Sequence, residues 1–542
     1  MKAEIILTGG RVFKGLAEGF AEAVAIGGGR ILAAASAAEV EALRGPDTRV
    51  IALEGRAVVP GFNDAHLHLL NLGRAMAELN LRTESGVDSV AEILARVAEA
   101  ARGAKPGTWI KGRGYDHDQL AERRHPSIEE LDRAAPDNPV YLERTCSHLA
   151  VVNSAALALA GVDAGTPDPQ GGRIERRHGA FTGLLAERAM RLVGAVLPPP
   201  TEADLVEAIE RAGTALLAQG ITSVMDAAIG MHAGYADAEA FEAAAARGRL
   251  PLRVWACLYG DPGGVVEAAH AAGLRFGRRQ GLLRYGAAKI FTDGSAGGLT
   301  AAIGEPYLVG LADNRGILCF SDAEAHDLLR RYHALGYQLA IHAIGDRAIE
   351  QVLSGMEAIA AADGPIATRR PRIEHCGFLS PAQRRRMAAA GVLPVPQPAF
   401  VYEFGDLYLT NLGRDRSEAA YPMRNWVDEG HRPSASSDAP VCSTDPFKNI
   451  YTMVTRRTQA GTEIGGRQRL TVAEAVHAYT HNGAWSQFAE AETGLIATGM
   501  RADVAVLSHN LFDIAPDVIR DEVRCDLTIL DGRIAHERDG PQ

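Results

Sequence analysis

Short apolar strands alternate with helical runs through most of this chain of 542 residues, and this alternation constrains the fold more than any other feature. The strand segments include TSVMDAA, LRVWACLYG, YGAAKIF, YQLAIHA and RPRIEH, and helix-compatible stretches such as SDAEAHDLLRRYHAL separate them. Repeated units of this kind predict a parallel sheet covered by helices. Because their number approaches eight, the sequence predicts an α/β fold of the (β/α)8 (TIM) barrel type rather than an open sheet.

The two ends of the chain differ from its middle in the secondary structure that they predict. Residues 1–58 and 491–542 carry short apolar strands that end in glycine turns such as GGR and DGR. We therefore expect a small β-sandwich domain built from both termini, with the barrel at 59–490 between its two parts. Residues from about 75 to 205 do not follow the strand–helix alternation of the barrel well, and they are predicted to form an insertion after the first barrel strand.

Composition excludes several classes of function. The net charge of −11 and the absence of a long basic run argue against a nucleic-acid-binding protein. No apolar stretch reaches the ~18 residues needed to span a bilayer, so no membrane partner is expected. The six cysteines are scattered, without a CxxC spacing, which predicts reduced thiols and a cytoplasmic location. The expected partner is a small-molecule substrate.

Polar side chains of the metal-ligating type follow several of the apolar strand segments. The segment AVVPGFNDAHLH ends in two histidines two residues apart, which point to the same side of a strand. The six residues of this kind are His66, His68, Lys289, His342, His375 and Asp438. Each has a structural alternative, namely a hydrogen-bonded core histidine, a turn-capping aspartate or a salt-bridged lysine. Because barrel strands end at one common face, their convergence predicts a site for a divalent transition metal.

Lys289 is unusual because lysine is scarce in this chain. Only six of the 56 basic residues are lysines, and this one lies in the apolar strand segment YGAAKIF. An ammonium group is costly to bury there, and burial favours the neutral amine. The position therefore favours a chemical role for Lys289 over an ordinary cationic one.

Several motifs together resemble one protein family. They are, in chain order, VVPGFNDAHLHLL, AKIFTDGSAGGLTAA, QLAIHAIGDRAIEQVL, RIEHC, SASSDAPV, LTVAEAVHAYTHNGAW and GMRADVAVL. They resemble the amidohydrolase superfamily, and within it the amidohydrolase 3 (YtcJ-like) family, which includes N-substituted formamide deformylase. The segment PSIEELDRAAPDNPVYLERTCSHLAVVNSAAL resembles the insertion of that family. Three places differ from the residues that are usual in that family: Asn63, the segment GYDHDQ and the segment TCSH. The side chains at these places are expected to line the substrate cavity.

The resemblance implies a binuclear metal centre and a hydrolytic reaction. It implies two divalent ions, with zinc as the default for histidine-rich sites. His66 and His68 would bind the more buried ion, and His342 and His375 the second. Lys289, carboxylated by carbon dioxide to a carbamate, would bridge the two ions. Asp438 would contact a metal and act as general base and acid toward the attacking water in the hydrolysis of an amide-type C–N bond.

Other residues are predicted to support this site. Asp64, two residues before His66, and Asp293, four residues beyond Lys289, would orient metal ligands, although turn capping explains each of them equally well. The remaining candidates come from the resemblance. His148, Tyr115, Asp116 and Asn153 would bind substrate from the insertion; a helix start at Asn153 and a turn at Asp116 are the structural alternatives. Superfamily resemblance implies a homo-oligomer, with a dimer expected.

Two other functions stay open at this point. The same superfamily contains deaminases and nonoxidative decarboxylases, and a decarboxylase would typically use one metal without a bridging carbamate. A non-enzymatic scaffold is the third alternative, which the complete set of ligand positions disfavours.

Overall fold

The computed structural model describes residues 1–144, 149–169 and 172–538. The chain divides into two compact units. The larger unit is Met1–Leu72 together with Leu205–Gln542, and the smaller unit is Gly73–Asp204.

Strands occur in three groups along the chain. The first group is β1 (Ile5–Gly15), β2 (Gly19–Gly27), β3 (Arg30–Ala35), β4 (Arg49–Ala52), β5 (Ala57–Pro60) and β6 (Phe62–Leu67). The smaller unit holds β7 (Leu79–Asn80), β8 (Ile110–Tyr115), β9 (Val140–Arg144), β10 (Leu149–Val152), β11 (Gly172–Arg177) and β12 (Ala180–Glu187). The last group is β13 (Ile221–Ile229), β14 (Arg253–Tyr259), β15 (Arg279–Gln280), β16 (Leu283–Phe291), β17 (Gln338–Ala343), β18 (Arg372–His375), β19 (Leu393–Val395), β20 (Val504–Leu507), β21 (Cys525–Leu530) and β22 (Arg533–Glu537).

Helices separate most of these strands. The helices that precede residue 200 are α1 (Ala37–Glu41), α2 (Leu69–Met76), α3 (Val90–Gly103), α4 (Ile128–Ala134), α5 (Ser154–Leu159) and α6 (Met190–Gly194). The others are α7 (Glu202–Leu217), α8 (Tyr235–Ala246), α9 (Val266–Ala271), α10 (Asp322–Ala334), α11 (Asp346–Asp363), α12 (Pro381–Ala390), α13 (Pro398–Leu412), α14 (Arg414–Glu418), α15 (Met423–Asp428), α16 (Pro446–Thr455), α17 (Val472–Ala478), α18 (His481–Ser486) and α19 (Pro516–Asp521). In the described ranges, no helix is both long enough and apolar enough to cross a bilayer.

Seven strands of the larger unit form one parallel sheet. Their order is β6, β13, β14, β16, β17, β18 and β19, and each is parallel to its neighbours, while β15 pairs antiparallel with the start of β16. Every residue of β6, β13, β17 and β18 is buried, as expected for strands covered by helices outside and by side chains inside. The predicted α/β barrel fold is confirmed.

The eighth position of the barrel is occupied by residues 434–439. The N–H of Ser434 donates to the carbonyl of Pro394 in β19 at 3.3 Å, and the N–H of Asp438 donates to the carbonyl of His66 in β6 at 2.8 Å. The segment therefore lies between the first and last strands and completes the ring. No regular strand forms in this segment, and at its end Asp438, with a φ of 59°, turns the chain away from the extended conformation.

The two ends of the chain share one sheet. Its order is β22, β21, β20, β5, β1, β2, β3, with β4 also paired to β1, and the antiparallel pair of β5 and β20 joins the N-terminal strands to the C-terminal ones. Gly61 is the single residue between β5 and β6, and a Cβ there would lie 2.2 Å from Oγ1 of Thr222. Only glycine fits this close approach, which links the sheet to the first barrel strand.

The smaller unit has its own sheet and core. Its six strands are ordered β11, β12, β10, β9, β8, β7. Leu81, Val97, Leu142 and Val151 are among the buried residues of its core. The smaller unit is therefore a sheet with helices packed against it around a core of its own.

Local sequence explains where several barrel helices begin and end. Helix α10 begins after Ser321, whose side chain accepts from the N–H of Glu324 while the Glu324 carboxylate accepts from the N–H of Ser321. Helix α12 begins after Ser380 in the same way and ends at Gly391, which has a φ of 68°. These caps set the lengths of the connections that carry the chain back to each strand.

Candidate metal centre

The first part of the site lies at the carboxyl end of β6. His66 is fully buried and His68 is half-buried, and their Nε2 atoms lie 3.4 Å and 3.2 Å from Oδ1 of Asp438. One ligand atom from each of these three residues lies within 4.8 Å of the other two. Two imidazoles and a carboxylate at this spacing are suited to one divalent transition metal.

The second pair of histidines ends the strands β17 and β18. The ring centroids of His342 and His375 are 4.3 Å apart, and that of His375 is 4.9 Å from the ring of His66. His375 has a φ of 68°, a left-handed conformation that non-glycine residues adopt rarely and that is enriched at functional sites. The structure therefore brings all four predicted histidines and Asp438 into one cluster.

Lys289 lies in β16 with its side chain buried. Its Nζ has no hydrogen-bond partner among the described residues, and it lies 4.6 Å from the ring centroid of Phe291. Burial lowers the pKa of Lys289, against the opposing effect of the Glu374 and Asp438 carboxylates. The neutral amine is thus favoured compared with an exposed lysine.

Two of the histidines have their Nδ1 atoms occupied by side chains outside the cluster. Nδ1 of His66 contacts the carboxylate of Glu374, which can only accept, so His66 carries its proton on Nδ1. Nδ1 of His375 lies 2.7 Å from Oε1 of Gln397, whose Nε2 donates to Oγ of Ser436 at 3.0 Å. Each ring is thereby held with Nε2 as the nitrogen available to a metal.

His342 has the opposite orientation. Its Nε2 lies 3.1 Å from the carbonyl of Gly294 and 3.2 Å from Oδ1 of Asp293. Nδ1 of His342 is buried without a hydrogen-bond partner in the described part of the chain. It is therefore Nδ1 that is available to a metal.

A buried ion pair supports the His66 contact. Nε of Arg372 donates to Oε1 of Glu374 at 2.6 Å, and another guanidinium N–H donates to the carbonyl of Ala65 at 2.6 Å. Burial alone would raise the pKa of Glu374, but Arg372 and His66 outweigh it and hold that pKa well below its usual range. Sequence reasoning missed Arg372, Glu374 and Gln397. The signal for the first two was a charged pair within RIEH, a strand expected to be buried on both faces.

Asp438 remains ionised in this environment. Burial alone would raise its pKa, but the adjoining imidazoles of His66 and His68 outweigh this effect and bring the pKa well below its usual range. A buried carboxylate next to imidazoles is able to ligate a metal and to accept a proton.

The two aspartates expected to orient ligands occupy different places. Asp64 accepts from the N–H of Ser437 at 3.0 Å and from the hydroxyl of Tyr479 at 2.9 Å, so it fixes the segment 434–439 rather than a histidine ring. Burial raises the pKa of Asp64 to about 6. Asp293 accepts from three backbone N–H groups, those of Ala302, Ile344 and Gly345, and it contacts the ring of His342.

The predicted substrate-binding residues belong to the smaller unit. Tyr115 is buried with its hydroxyl 2.9 Å from Nδ1 of His125, and Asn153 begins α5 and accepts from the N–H of Val140. The helix start at Asn153 matches its structural alternative, and the contact of Tyr115 with His125 lies within the smaller unit. His148 lies outside the described residues. Substrate binding by these side chains stays a prediction.

Asp116 lies in a turn of the smaller unit, where it accepts from the N–H of Asp118 at 3.2 Å. Asp116, His117 and Asp118 have ligand-type atoms close together. The guanidinium of Arg144, however, donates to Asp116 at 2.5 Å and to Asp118 at 3.0 Å. A cation already faces both carboxylates, so this turn is a poor candidate for a metal.

The expectation that Asn63 lines the substrate cavity is wrong. Asn63 is the second residue of β6, at the amino end of the strand, and its amide exchanges two hydrogen bonds of 3.0 and 2.9 Å with that of Gln487. The cavity next to the histidines is lined by other residues. A side chain at the start of a barrel strand faces the end of the barrel opposite to the active site.

Comparison with known proteins agrees with this geometry. Residues 49–536 match the amidohydrolase family. The chain is 32% identical to the protein YtcJ of Bacillus subtilis over 99% of this chain and 100% of that protein, and 33% identical to the N-substituted formamide deformylase of Arthrobacter pascens over 96% of each chain. The crystal structure of an uncharacterized metal-dependent hydrolase from Pyrococcus furiosus has a TM-score of 0.75 and 28% identity, covering 94% of this chain and 99% of the other. These relatives support metal-dependent hydrolysis, and the chain belongs to the amidohydrolase family.

Proposed function

We propose that the protein hydrolyses an amide-type C–N bond of a small molecule, using a centre that holds two divalent metal ions. One observation carries this proposal. Nε2 of His66, Nδ1 of His342 and Nζ of Lys289 are buried at the carboxyl end of the barrel without hydrogen-bond partners in the described ranges. Unpartnered buried polar atoms cost free energy, and ligand-type atoms in such a position fit a bound metal.

The residues divide naturally between two ions. His66, His68 and Asp438 form the first set, and their ligand atoms lie within 4.8 Å of one another. His342 and His375 form the second set. We assign zinc to both, because imidazole and carboxylate ligands suit it.

Lys289 would join the two sets as a carbamate. Its neutral amine forms an N–C bond with carbon dioxide and releases one proton, which leaves an anion with two oxygens. The lowered pKa of the buried Lys289 supports this step, since only the neutral amine reacts. An arginine in this position would lack the neutral nucleophile.

The chain's own groups then carry the proton transfers. Divalent metal ions held by these residues would lower the pKa of a water molecule and polarise the substrate carbonyl. Asp438, ionised in the site, accepts the proton of the attacking water and delivers it to the departing nitrogen as the C–N bond breaks. Glu374 and Gln397 hold His66 and His375 in the required tautomers, and Asp293 holds His342.

The N-substituted formamide deformylase at 33% identity supports formamides as the first class to test. The experiment is a screen of metal-loaded protein against N-formyl, N-acyl, carbamate and cyclic amide compounds, with Asp438→Asn as the blank. We expect release of the amine from at least one class by the wild type and background release by the variant. Equal rates for the two proteins would contradict the assigned mechanism. Inactivity on all four classes, with release of ammonia from an amino-substituted ring or of carbon dioxide from a carboxylic acid, would instead indicate a deaminase or a decarboxylase.

The bridge has its own test. Elemental analysis should find two ions per chain, and protein equilibrated with isotopically labelled bicarbonate should show a carbamate signal that Lys289→Ala lacks. One ion per chain with an unmodified Lys289 in active protein would contradict the bridge while leaving metal-dependent hydrolysis in place.

A further inference from the structure

The metal centre opens into a cavity of about 500 Å³. Its floor is formed by His66, His68, His342, His375 and Asp438. The ring of Phe400 stacks on that of His375, with centroids 5.7 Å apart and planes at 10°, so the wall begins directly beside the floor. The chemical character of the wall therefore determines which substituents a bound amide can carry.

One helix supplies a large part of this wall. Phe400, Phe404, Leu407 and Tyr408 of α13 all line the cavity, and their spacing of four, three and one residues places them on one helix face. Leu407 lies at the rim with 42% of its surface exposed. This face presents an aromatic and aliphatic surface over two helical turns.

The remaining wall is also mostly apolar. It includes Met231, Phe291, Ile344 and Val441. Outside the floor and the α13 face, the polar lining residues are one amide, one hydroxyl and one histidine, namely Asn71, Ser295 and His232. Among the described residues that line the cavity, none is a lysine or an arginine, and the one carboxylate, Asp438, belongs to the floor.

This lining discriminates strongly against charge. A carboxylate carried into the cavity on a substituent would lose its hydration without gaining a cationic partner from the wall. An apolar substituent, in contrast, gains contact with the α13 face and leaves water. The wall therefore distinguishes the two kinds of substrate by their substituents, whereas the bond that is cleaved is the same in both.

We propose that the substrate is an uncharged amide with a bulky apolar substituent, which packs against the α13 face formed by Phe400, Phe404, Leu407 and Tyr408. Substrates with a charged group on that substituent, including carboxylates, are rejected. The proposal rests on the proposed function, because it assigns the specificity of the same site.

The test uses two N-phenethylformamides that differ only at the para position of the ring. One carries a methyl group and the other a carboxylate of similar size, too far from the formyl group to replace it at the floor. We expect wild-type kcat/KM to be higher for the methyl compound by ~10²-fold or more, since a desolvated carboxylate without a partner is strongly disfavoured. Equal values for the two compounds would overturn the proposal while leaving C–N hydrolysis intact.

A charge introduced into the wall provides the second arm. Leu407→Arg places a guanidinium at the exposed rim and should reduce the preference for the methyl compound by ~10-fold. Leu16→Arg makes the same substitution at a similarly exposed residue, in the turn between β1 and β2, that does not line the cavity, and it should leave the preference unchanged. An equal effect of the two variants, or no effect of Leu407→Arg, would contradict recognition by this wall.

A binding measurement distinguishes a failure of the proposed specificity from a failure of the proposed function. If neither compound, nor any member of the wider amide panel, is hydrolysed, the proposed function is wrong. Calorimetry of the same two compounds with metal-loaded wild-type protein, which in that case does not turn them over, then tests the wall alone. Tighter binding of the methyl compound supports the proposal, and equal or tighter binding of the carboxylate overturns it.

Discussion

The two ends of the barrel treat buried polar groups in opposite ways. At the amino end, the amides of Asn63 and Gln487 exchange two hydrogen bonds, and the amide of Gln338 accepts from Trp255 and donates to the carbonyl of Ser486. At the carboxyl end, ligand-type atoms of His66, Lys289 and His342 are buried without such partners within the described residues. Both ends bury polar side chains, but the groups named at the amino end pair with each other and those named at the carboxyl end do not.

The difference shows how stability and function are divided within one fold. Polar groups that satisfy each other specify a unique packed arrangement, whereas unpaired ones cost free energy and are retained where they bind something. Substitutions at the amino end should therefore change stability, and substitutions at the carboxyl end should change metal binding and catalysis. Four predictions test this division, beginning with the largest expected effect.

Asp438→Asn should lower kcat/KM by ~10³-fold, because the amide cannot accept a proton from water. The measurement is steady-state kinetics on a substrate found in the amide screen, with thermal unfolding as the control for folding. An unchanged melting temperature and an unchanged metal content together with lost activity assign the effect to proton transfer. Wild-type kinetics in the variant would remove Asp438 from the mechanism.

Lys289→Ala should lower kcat/KM by ~10²-fold or more and reduce the metal content from two ions per chain to one or none. The predicted bridge is lost, and no other described side chain occupies its place. Millimolar concentrations of a short carboxylic acid should restore part of both quantities by supplying the missing oxygens. Full metal content in the variant would show that Lys289 does not hold the ions.

Glu374→Gln should weaken metal affinity by ~10–100-fold, since the neutral amide no longer requires a proton on Nδ1 of His66. Competition with a chelator measures this affinity directly and does not depend on turnover. Gln397→Glu provides a matched change on His375, where an acceptor oxygen is kept and affinity should fall less. If Glu374→Gln binds metal as tightly as the wild type, the contact has only a packing role.

Asn63→Ala should destabilise the fold by ~1–3 kcal/mol, because it leaves the buried amide of Gln487 without its partner. Activity per folded molecule should stay within about twofold of the wild type. The double variant Asn63→Leu with Gln487→Leu removes both amides and should recover part of the lost stability, as judged from the midpoint of chemical unfolding. Loss of metal in Asn63→Ala would break the contrast between the two barrel ends.

Much of this architecture was predictable, because the signals are local. Alternating apolar segments and capped helices repeat along the chain, and a ligand-type residue at the end of an apolar segment marks the carboxyl edge of a parallel sheet. These patterns identified His66, His68, Lys289, His342, His375 and Asp438 as candidates, and the structure brings them together. The contacts of Asp64 with Ser437 and Tyr479 join positions far apart in the chain, and no local pattern encodes them.

The sequence by itself determined the barrel and the types of side chain at its carboxyl end, since both follow from periods of two and 3.6 residues that act within short windows. Only the tertiary structure decided which nitrogen of each histidine faces the site. That choice depends on partners such as Glu374, which lies 308 residues from His66 in the chain. Tertiary contacts also decided that Asn63 stabilises the amino end instead of facing substrate. A partner brought close by folding leaves no periodic trace in either segment, so contacts of this kind are visible only once the chain is folded.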